Sequence, residues 1–292
     1  MATSIVRRRI RRSVRVRIAR AVETFVIYAI LFAGMVLVLI PLWWMITTAF
    51  KRPQEVFAYP PTFLPKVIRW QNFIEIFQKA PFFIWFRNTV YVCALDLVGT
   101  VISASMVGFS FARLRWRGRD LMFVLTLATM MLPGAVTMIP RYLIFKELHW
   151  LDTYNPLWVP SFFGYAFFIF LMRQFYTTIP YDLDDAARMD GCSLFGIWWR
   201  ISLPLSIPAL AACGIFTFTA TWSDFMGPLI YLTTKSKLTL ALGLLFFRGP
   251  HVTDWHYLMA ASVFAMLPVV LIYFFAQRYF IQGIVFTGVE KG

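Results

Sequence analysis

The segment YDLDDAARMDG, residues 181–191, places Asp182, Asp184, Asp185 and Asp190 within nine positions of a chain that is otherwise largely apolar. Residues 181–199 carry four aspartates against one arginine, a formal charge of −3. Pro180 can open a helix whose first turns hold Asp182, Asp184 and Asp185, where the positive end of the helix dipole favours carboxylates. Leu183, Ala186 and Ala187 then share one side, Gly191 ends the helix, and Ser193 can cap a second short helix over LFGIWW. An amphipathic helix resting on lipid would need the opposite charge, because the cytoplasmic leaflet is anionic and attracts basic segments. A short acidic helix with a small-residue side and a glycine break is suited instead to seating in a groove on another protein. A second set, Asp96, Asp224, His251 and His256, could supply acid–base pairs for a membrane-embedded transferase acting on a lipid or sugar. No nucleophile motif and no metal-ligand spacing accompanies that set.

The elements that must position these residues are membrane helices. The chain is 60% hydrophobic with a mean hydropathy of +0.67, far from a soluble domain. Crossing hydrocarbon takes about 20 apolar residues as helix. The stretches Thr24–Phe50, Leu121–Pro140, Pro156–Met172, Ile201–Ser223 and Trp255–Gln277 meet that need, and Asn88–Ala112 does so with one buried acid, Asp96. The expectation is an all-α integral membrane bundle of six transmembrane helices, with the acidic helix between spans 4 and 5. Residues 1–23 read as a basic leader and 24–292 as one membrane domain. Of the net charge of +14, eight units come from the arginines between Arg7 and Arg20, which abut the first span. They set topology rather than bind nucleic acid: basic flanks stay inside, so both termini and residues 181–199 fall in the cytoplasm of a multi-pass protein. RLRWRGR, 113–119, falls on the same side.

Within the second span, Asp96, Thr100 and Ser103 lie near one another on one helical face. A carboxylate in hydrocarbon marks a pathway or an interhelical hydrogen bond; with Trp222 and Asp224 these residues are the candidates for a translocation pathway. Gly99, Ser103, Ala104 and Gly108 favour close helix packing at the same place. Most tryptophans lie near span ends, as interfacial belts do. Cys93, Cys192 and Cys213 lack metal spacing and read as packing residues.

Asp185-Ala186-Ala187, three residues, Gly191, nine residues, Ile201, one residue, Leu203-Pro204 resembles the EAA loop of permease subunits of bacterial ATP-binding-cassette importers, with Asp185 where the family usually has Glu. FARLRWRGRDLMF, MLPGAVTMIPRYLIFKELHWLDTY, TWSDFMGPLIYLT and QRYFIQGIVFTGVEKG narrow the resemblance to carbohydrate-uptake permeases similar to the second, six-span subunit of the maltose transporter. The resemblance covers about residues 20–292. It implies that residues 181–204 form a coupling loop, with Asp185, Ala186, Ala187, Asp190, Gly191, Ile201, Leu203 and Pro204 serving a cytoplasmic ATPase. It implies a second permease subunit, two ATPase copies, an extracytoplasmic solute-binding protein and a saccharide substrate in the bacterial inner membrane. Arg248, Gly249 and Pro250 would face the binding protein, and the tail around Gly288–Gly292 the ATPase. The chain has no G-x-x-x-x-G-K-[ST] phosphate loop, so ATP and Mg would be used by the partner, with no cofactor or metal held here and no catalysis by this chain.

Overall fold

No residue between Phe82 and Arg113 is a proline, and this stretch forms one uninterrupted helix of 32 residues on which more elements pack than on any other. A computed structural model describes residues 2–249 and 253–288, with side chains described for 20–249, 253–275 and 277. The principal helices are α1 (Ala2–Ala49), α2 (Gln71–Lys79), α3 (Phe82–Arg113), α4 (Arg119–Ala128), α5 (Gly134–Glu147), α6 (Ala166–Thr178), α7 (Asp182–Met189), α8 (Ile207–Trp222), α9 (Met226–Tyr231) and α10 (Trp255–Gly288). Among the described residues there is no strand, only an isolated antiparallel bridge between Arg248 and Thr253. The bundle is all-α, as its composition predicts.

Four helices are long and apolar enough to span a membrane: Arg20–Ala49, Phe82–Arg113, Asn155–Thr178 and Trp255–Phe275. Two pairs qualify only together, Arg119–Met131 with Gly134–Glu147, bent by 101°, and Leu194–Leu205 with Ile207–Trp222, bent by 77°. Counting each bent pair as one span gives six. The stretches Leu121–Pro140 and Ile201–Ser223, each expected as one span, are therefore broken, and proline is the physical reason. Leu132, immediately before Pro133, is extended (φ −81°, ψ 116°), because a following proline disfavours the helical region. Pro204 and Pro208 bracket the second break and lack a backbone donor; between them the Ser206 hydroxyl donates to the Leu203 carbonyl at 2.9 Å. Pro41 and Pro268 are absorbed inside α1 and α10. The basic leader 1–23 continues the helix of the first span without a break from Ala2.

Two apolar clusters flank α3. One gathers Phe82, Trp85 and Cys93 of α3 with Trp222, Leu240, Phe247 and Tyr257. The other gathers Ala104, Phe109 and Ala112 with Met172, Tyr176, Ala187, Trp198 and Cys213. Lipid tails are as apolar as leucine, so burial alone gives little here, and association rests on close packing and interhelical hydrogen bonds. Gly99 and Gly108 supply the first: an added Cβ at Gly99 would overlap Ser161 and the Phe162 ring, and one at Gly108 would come within 2.7 Å of Met172 Cβ. Between the clusters, Ser103 Oγ donates to the Ser161 carbonyl at 2.7 Å and the Thr221 hydroxyl donates to Asp96.

Candidate functional site

The acidic helix forms where its sequence predicts. α7 spans Asp182–Met189 with Asp182, Asp184 and Asp185 in its first turn. It ends in a paired closure: Gly191 N–H donates to the Arg188 carbonyl at 3.0 Å and Cys192 N–H to the Ala187 carbonyl at 2.9 Å. This motif needs a left-handed residue, and Gly191 has φ +79°. Ser193 then caps Leu194–Ile197, its Oγ accepting from Gly196 N–H at 3.2 Å. The chain continues through a π turn, Trp198–Ser202, to the 77° bend. Ile201 and Leu203 pack half-buried against the second cluster, whereas Pro204 is exposed.

Of the side expected to seat in a partner's groove, Leu183 and Ala186 are exposed but Ala187 turns inward. Asp184 and Ala187, three residues apart, are buried, while Leu183, Asp185, Ala186, Met189 and Asp190 are exposed. The cause is Arg113, the last residue of α3, which ends beneath α7 and needs a carboxylate. Its Nε lies 3.5 Å from Asp184 Oδ2, and both side chains are almost wholly buried. Arg113 Nη2 also donates to the Ile179 carbonyl at 2.7 Å, and its guanidinium sits 4.5 Å over the Tyr181 ring. Tyr181 Oη returns a hydrogen bond to the Ala112 carbonyl at 3.1 Å. Burial pushes the Asp184 carboxyl above its ordinary range, a rise that Arg113 and Arg188 offset only in part. Asp185 meets Arg188 at 3.7 Å, but both are at least half exposed, so that contact adds little. A cleft of about 660 Å³ opens beside the helix, lined by Arg113, Arg115, Trp116, Tyr181, Asp184, Asp185 and Arg188. Sequence reasoning missed Arg113: among the four arginines of RLRWRGR nothing separated the buried one, save its place at the end of the helical apolar run.

The pathway candidates are brought together only in part: Asp96, Thr100 and Ser103 share α3, and Asp224 lies within electrostatic range of Asp96. Asp96, Thr100 and Ser103 are buried on α3, with Asp96 bonded to Thr221 and Ser103 to the 155–163 segment. Trp222 turns the other way; its Nε1 donates to the Ala265 carbonyl at 2.9 Å and its ring packs on Phe86 and Phe218. Asp224 is half-buried and accepts from Gly227 N–H at 3.1 Å in the first turn of α9. His256 is buried against Tyr257, with ring centroids 3.9 Å apart, and His251 lies outside the described residues. Among the described residues no group of three potential metal ligands occurs. Cys93 and Cys213 are buried and Cys192 is half-buried, all free.

At the far end of α3, a second loop is held by more direct hydrogen bonds. Trp85 Nε1 donates to the Lys235 carbonyl at 2.8 Å, and Asn88 Nδ2 to the Ser236 and Leu238 carbonyls at 2.9 and 3.0 Å. Thr89 Oγ1 accepts from Leu240 N–H at 2.7 Å. Asp152 clasps the same loop, accepting from Thr233 and Thr234 N–H and from Lys237 Nζ at 2.8 Å. Those donors pull the Asp152 carboxyl well below its ordinary range, Lys237 most strongly. Arg248 is exposed and Gly249 half-buried at the loop tip; Pro250 and residues 289–292 of the tail lie outside the described residues.

The chain is thus a bundle of membrane helices that carries an exposed acidic helix on one buried ion pair. Residues 104–285 match the family described as the binding-protein-dependent transport system inner membrane component, and the chain belongs to that family. Over 227 residues it is 38% identical to the arabinooligosaccharides transport system permease protein AraQ of Bacillus subtilis, covering 77% of this chain and 80% of that one. It is 30% identical to the sn-glycerol-3-phosphate transport system permease protein UgpE of Yersinia enterocolitica, covering 88% of this chain and 94% of that one. Its fold is similar to a chain in the crystal structure of a bacterial ABC transporter involved in the import of the acidic polysaccharide alginate. That likeness has a TM-score of 0.79 at 24% identity, over 87% of this chain and 95% of that one. The chain is thus a non-catalytic permease component, and the transferase alternative is set aside.

Proposed function

We propose that the chain is one of two permease subunits of an ATP-driven importer that moves a saccharide across the bacterial inner membrane by alternating access. The observation that carries this reading is the outward side of α7, where Leu183, Asp185, Ala186, Met189 and Asp190 stand exposed on a helix anchored from below. An ATPase groove seats on that side, and two ATPase copies use the ATP and Mg. The second permease subunit covers apolar surface that this chain leaves open: the Arg20–Ala49 span buries none of its apolar window within the chain. A solute-binding protein approaches the opposite end at Arg248, Gly249 and Pro250. The arginines at 7–20 hold the N-terminus in the cytoplasm, and six crossings return the C-terminus there. Asp96, Thr100, Ser103 and Asp224 remain pathway candidates, with half-buried Asp224 the best placed to meet a passing hydroxyl. Trp222 is the weakest of the set, since its polar atom is already used within the bundle. The names of the relatives, an arabinooligosaccharide permease among them, support a saccharide cargo.

The test is purification of the tagged chain from its native membrane, followed by uptake of an arabinooligosaccharide into proteoliposomes. A nucleotide-hydrolysing subunit and a second permease should co-purify, and Gly191→Asp should abolish uptake while leaving membrane insertion intact. Recovery of the chain with no ATPase attached would sink the reading.

A further inference from the structure

α3 differs from every other long membrane element among the described residues. The 119–147 element bends at Pro133, the 194–222 element bends at Ser206, and α1 and α10 contain Pro41 and Pro268. The 155–178 element is interrupted between Phe163 and Ala166. α3 alone runs its full length with neither a proline nor a break. Breaks at element ends act as hinges that absorb displacement, whereas an unbroken helix hands it from end to end. Both ends of α3 are tied to loops. The last two residues, Ala112 and Arg113, hold Ile179, Tyr181 and Asp184. The first turns, through Trp85, Asn88 and Thr89, hold residues 235–240.

We propose that Arg113 and Asp184 are positioning residues for transport: they clamp α7 to the one long membrane element, among the described residues, that has neither proline nor break, so that movement of α7 reaches the 235–240 loop at the opposite end. The proposal rests on the permease reading above and adds to it a route and the pair that engages it. The contact has the character of a joint rather than a weld. Nε and Oδ2 are 3.5 Å apart, and Arg113 Nη1 and Asp184 Oδ1 are buried without a hydrogen-bond partner. Spare donors and acceptors on both sides let the pair tighten or slip as α7 is pushed. Coupling of this kind calls for a demonstrated two-state element at each end, which sets the experiment.

The reporter is Ser236→Cys in a Cys192→Ser background. Ser236 is exposed and contributes only its carbonyl to Asn88, and Cys93 and Cys213 are buried. The complex is purified with its ATPase, and the rate of labelling at position 236 by a charged maleimide is measured with and without Mg-ATP and vanadate. The unsubstituted joint should give a severalfold change in rate. Arg113→Gln and Asp184→Asn should lose that change while the ATPase stays bound and active, and Asp184→Glu should retain it. A purely packing role predicts the reverse order, since Asn is isosteric with Asp and Glu is larger. If Arg113→Gln does not assemble, the two Asp184 substitutions decide the matter alone. A nucleotide response preserved in Asp184→Asn, lost in Asp184→Glu, or missing from the unsubstituted joint with ATPase bound would overturn the proposal. If no ATPase binds the parent chain, the permease reading itself fails and takes this proposal with it.

Discussion

Asp184 and Asp152 are the same residue type at opposite ends of the bundle, and their surroundings push them in opposite directions. Asp152 accepts from two backbone amides, a threonine hydroxyl and a lysine, which fix the ionised form. Asp184 is buried, faces one guanidinium at 3.5 Å, and burial works against its charge. The first arrangement closes a loop and leaves it closed. The second keeps a charge where it is only partly compensated. The difference teaches that firmness is distributed unevenly: the 233–240 loop is bound to its helix, whereas α7 is jointed to it.

The largest effect that would sharpen this contrast is on uptake. Gly191→Asp puts a side chain on a backbone at φ +79°, a strain of roughly 1–2 kcal/mol at the turn that sets the angle of α7. Uptake in proteoliposomes should fall to background with insertion unchanged. Next is stability: Arg113→Gln leaves Asp184 buried and unpaired, and the loss should be about 3–5 kcal/mol in thermal unfolding of the detergent-solubilised protein. Asp152→Asn should cost less, about 1.5–3 kcal/mol, and hydrogen exchange should locate its effect at residues 233–237 rather than at α7. Equal losses at the two sites would break the comparison.

Acidification separates the two aspartates further. The folded-state pKa of Asp184 is raised, so the fold prefers its protonated form; the stability from that proton is present at low pH and lost as pH rises through the folded value. As pH falls from 7, Asp184 therefore protonates above the ordinary 3.8, and its ion pair with Arg113 is lost before the protein is destabilised. Asp152 has the opposite sign: its stabilisation is present above 3.8 and disappears only as pH falls towards its lowered value. Hydrogen exchange should therefore leave Asp182–Met189 protected as the pH falls through this range, while residues 233–237 loosen below 3.8 as Asp152 loses its charge; the reverse order would contradict the assignment. The smallest effect is at the middle of α3. Thr221→Val removes the donor to Asp96 and should destabilise by about 0.6–1.7 kcal/mol, with both loops undisturbed.

Much of this was legible before any coordinates. The coupling segment announced itself through spacing, and its caps, Gly191 and Ser193, follow from local chemistry that needs no tertiary information. The small residues of α3 predicted close packing, and Gly99 and Gly108 meet the 155–178 segment as that requires. What could not be read was which aspartate turns inward. The four residues Asp184 to Ala187 cover every direction around a helix, and only the place where α3 ends selects Asp184 and Ala187. The breaks at Leu132 and Ser206 were marked by prolines, but prolines at 41 and 268 leave their helices continuous. A proline states that a hydrogen bond is missing; the neighbours decide whether the chain turns. Asp152 carried no signal, because its partners lie more than 80 positions away.

The length of α3 has a mechanical corollary. At 1.5 Å per residue its 32 residues reach about 48 Å, against roughly 30 Å of hydrocarbon. Such a rod can lean to roughly 50° from the bilayer normal before its tips submerge in oil. Its charged and hydrogen-bonding extremities thus stay wet throughout any rocking stroke short of that tilt, and bilayer thickness stops its travel only there.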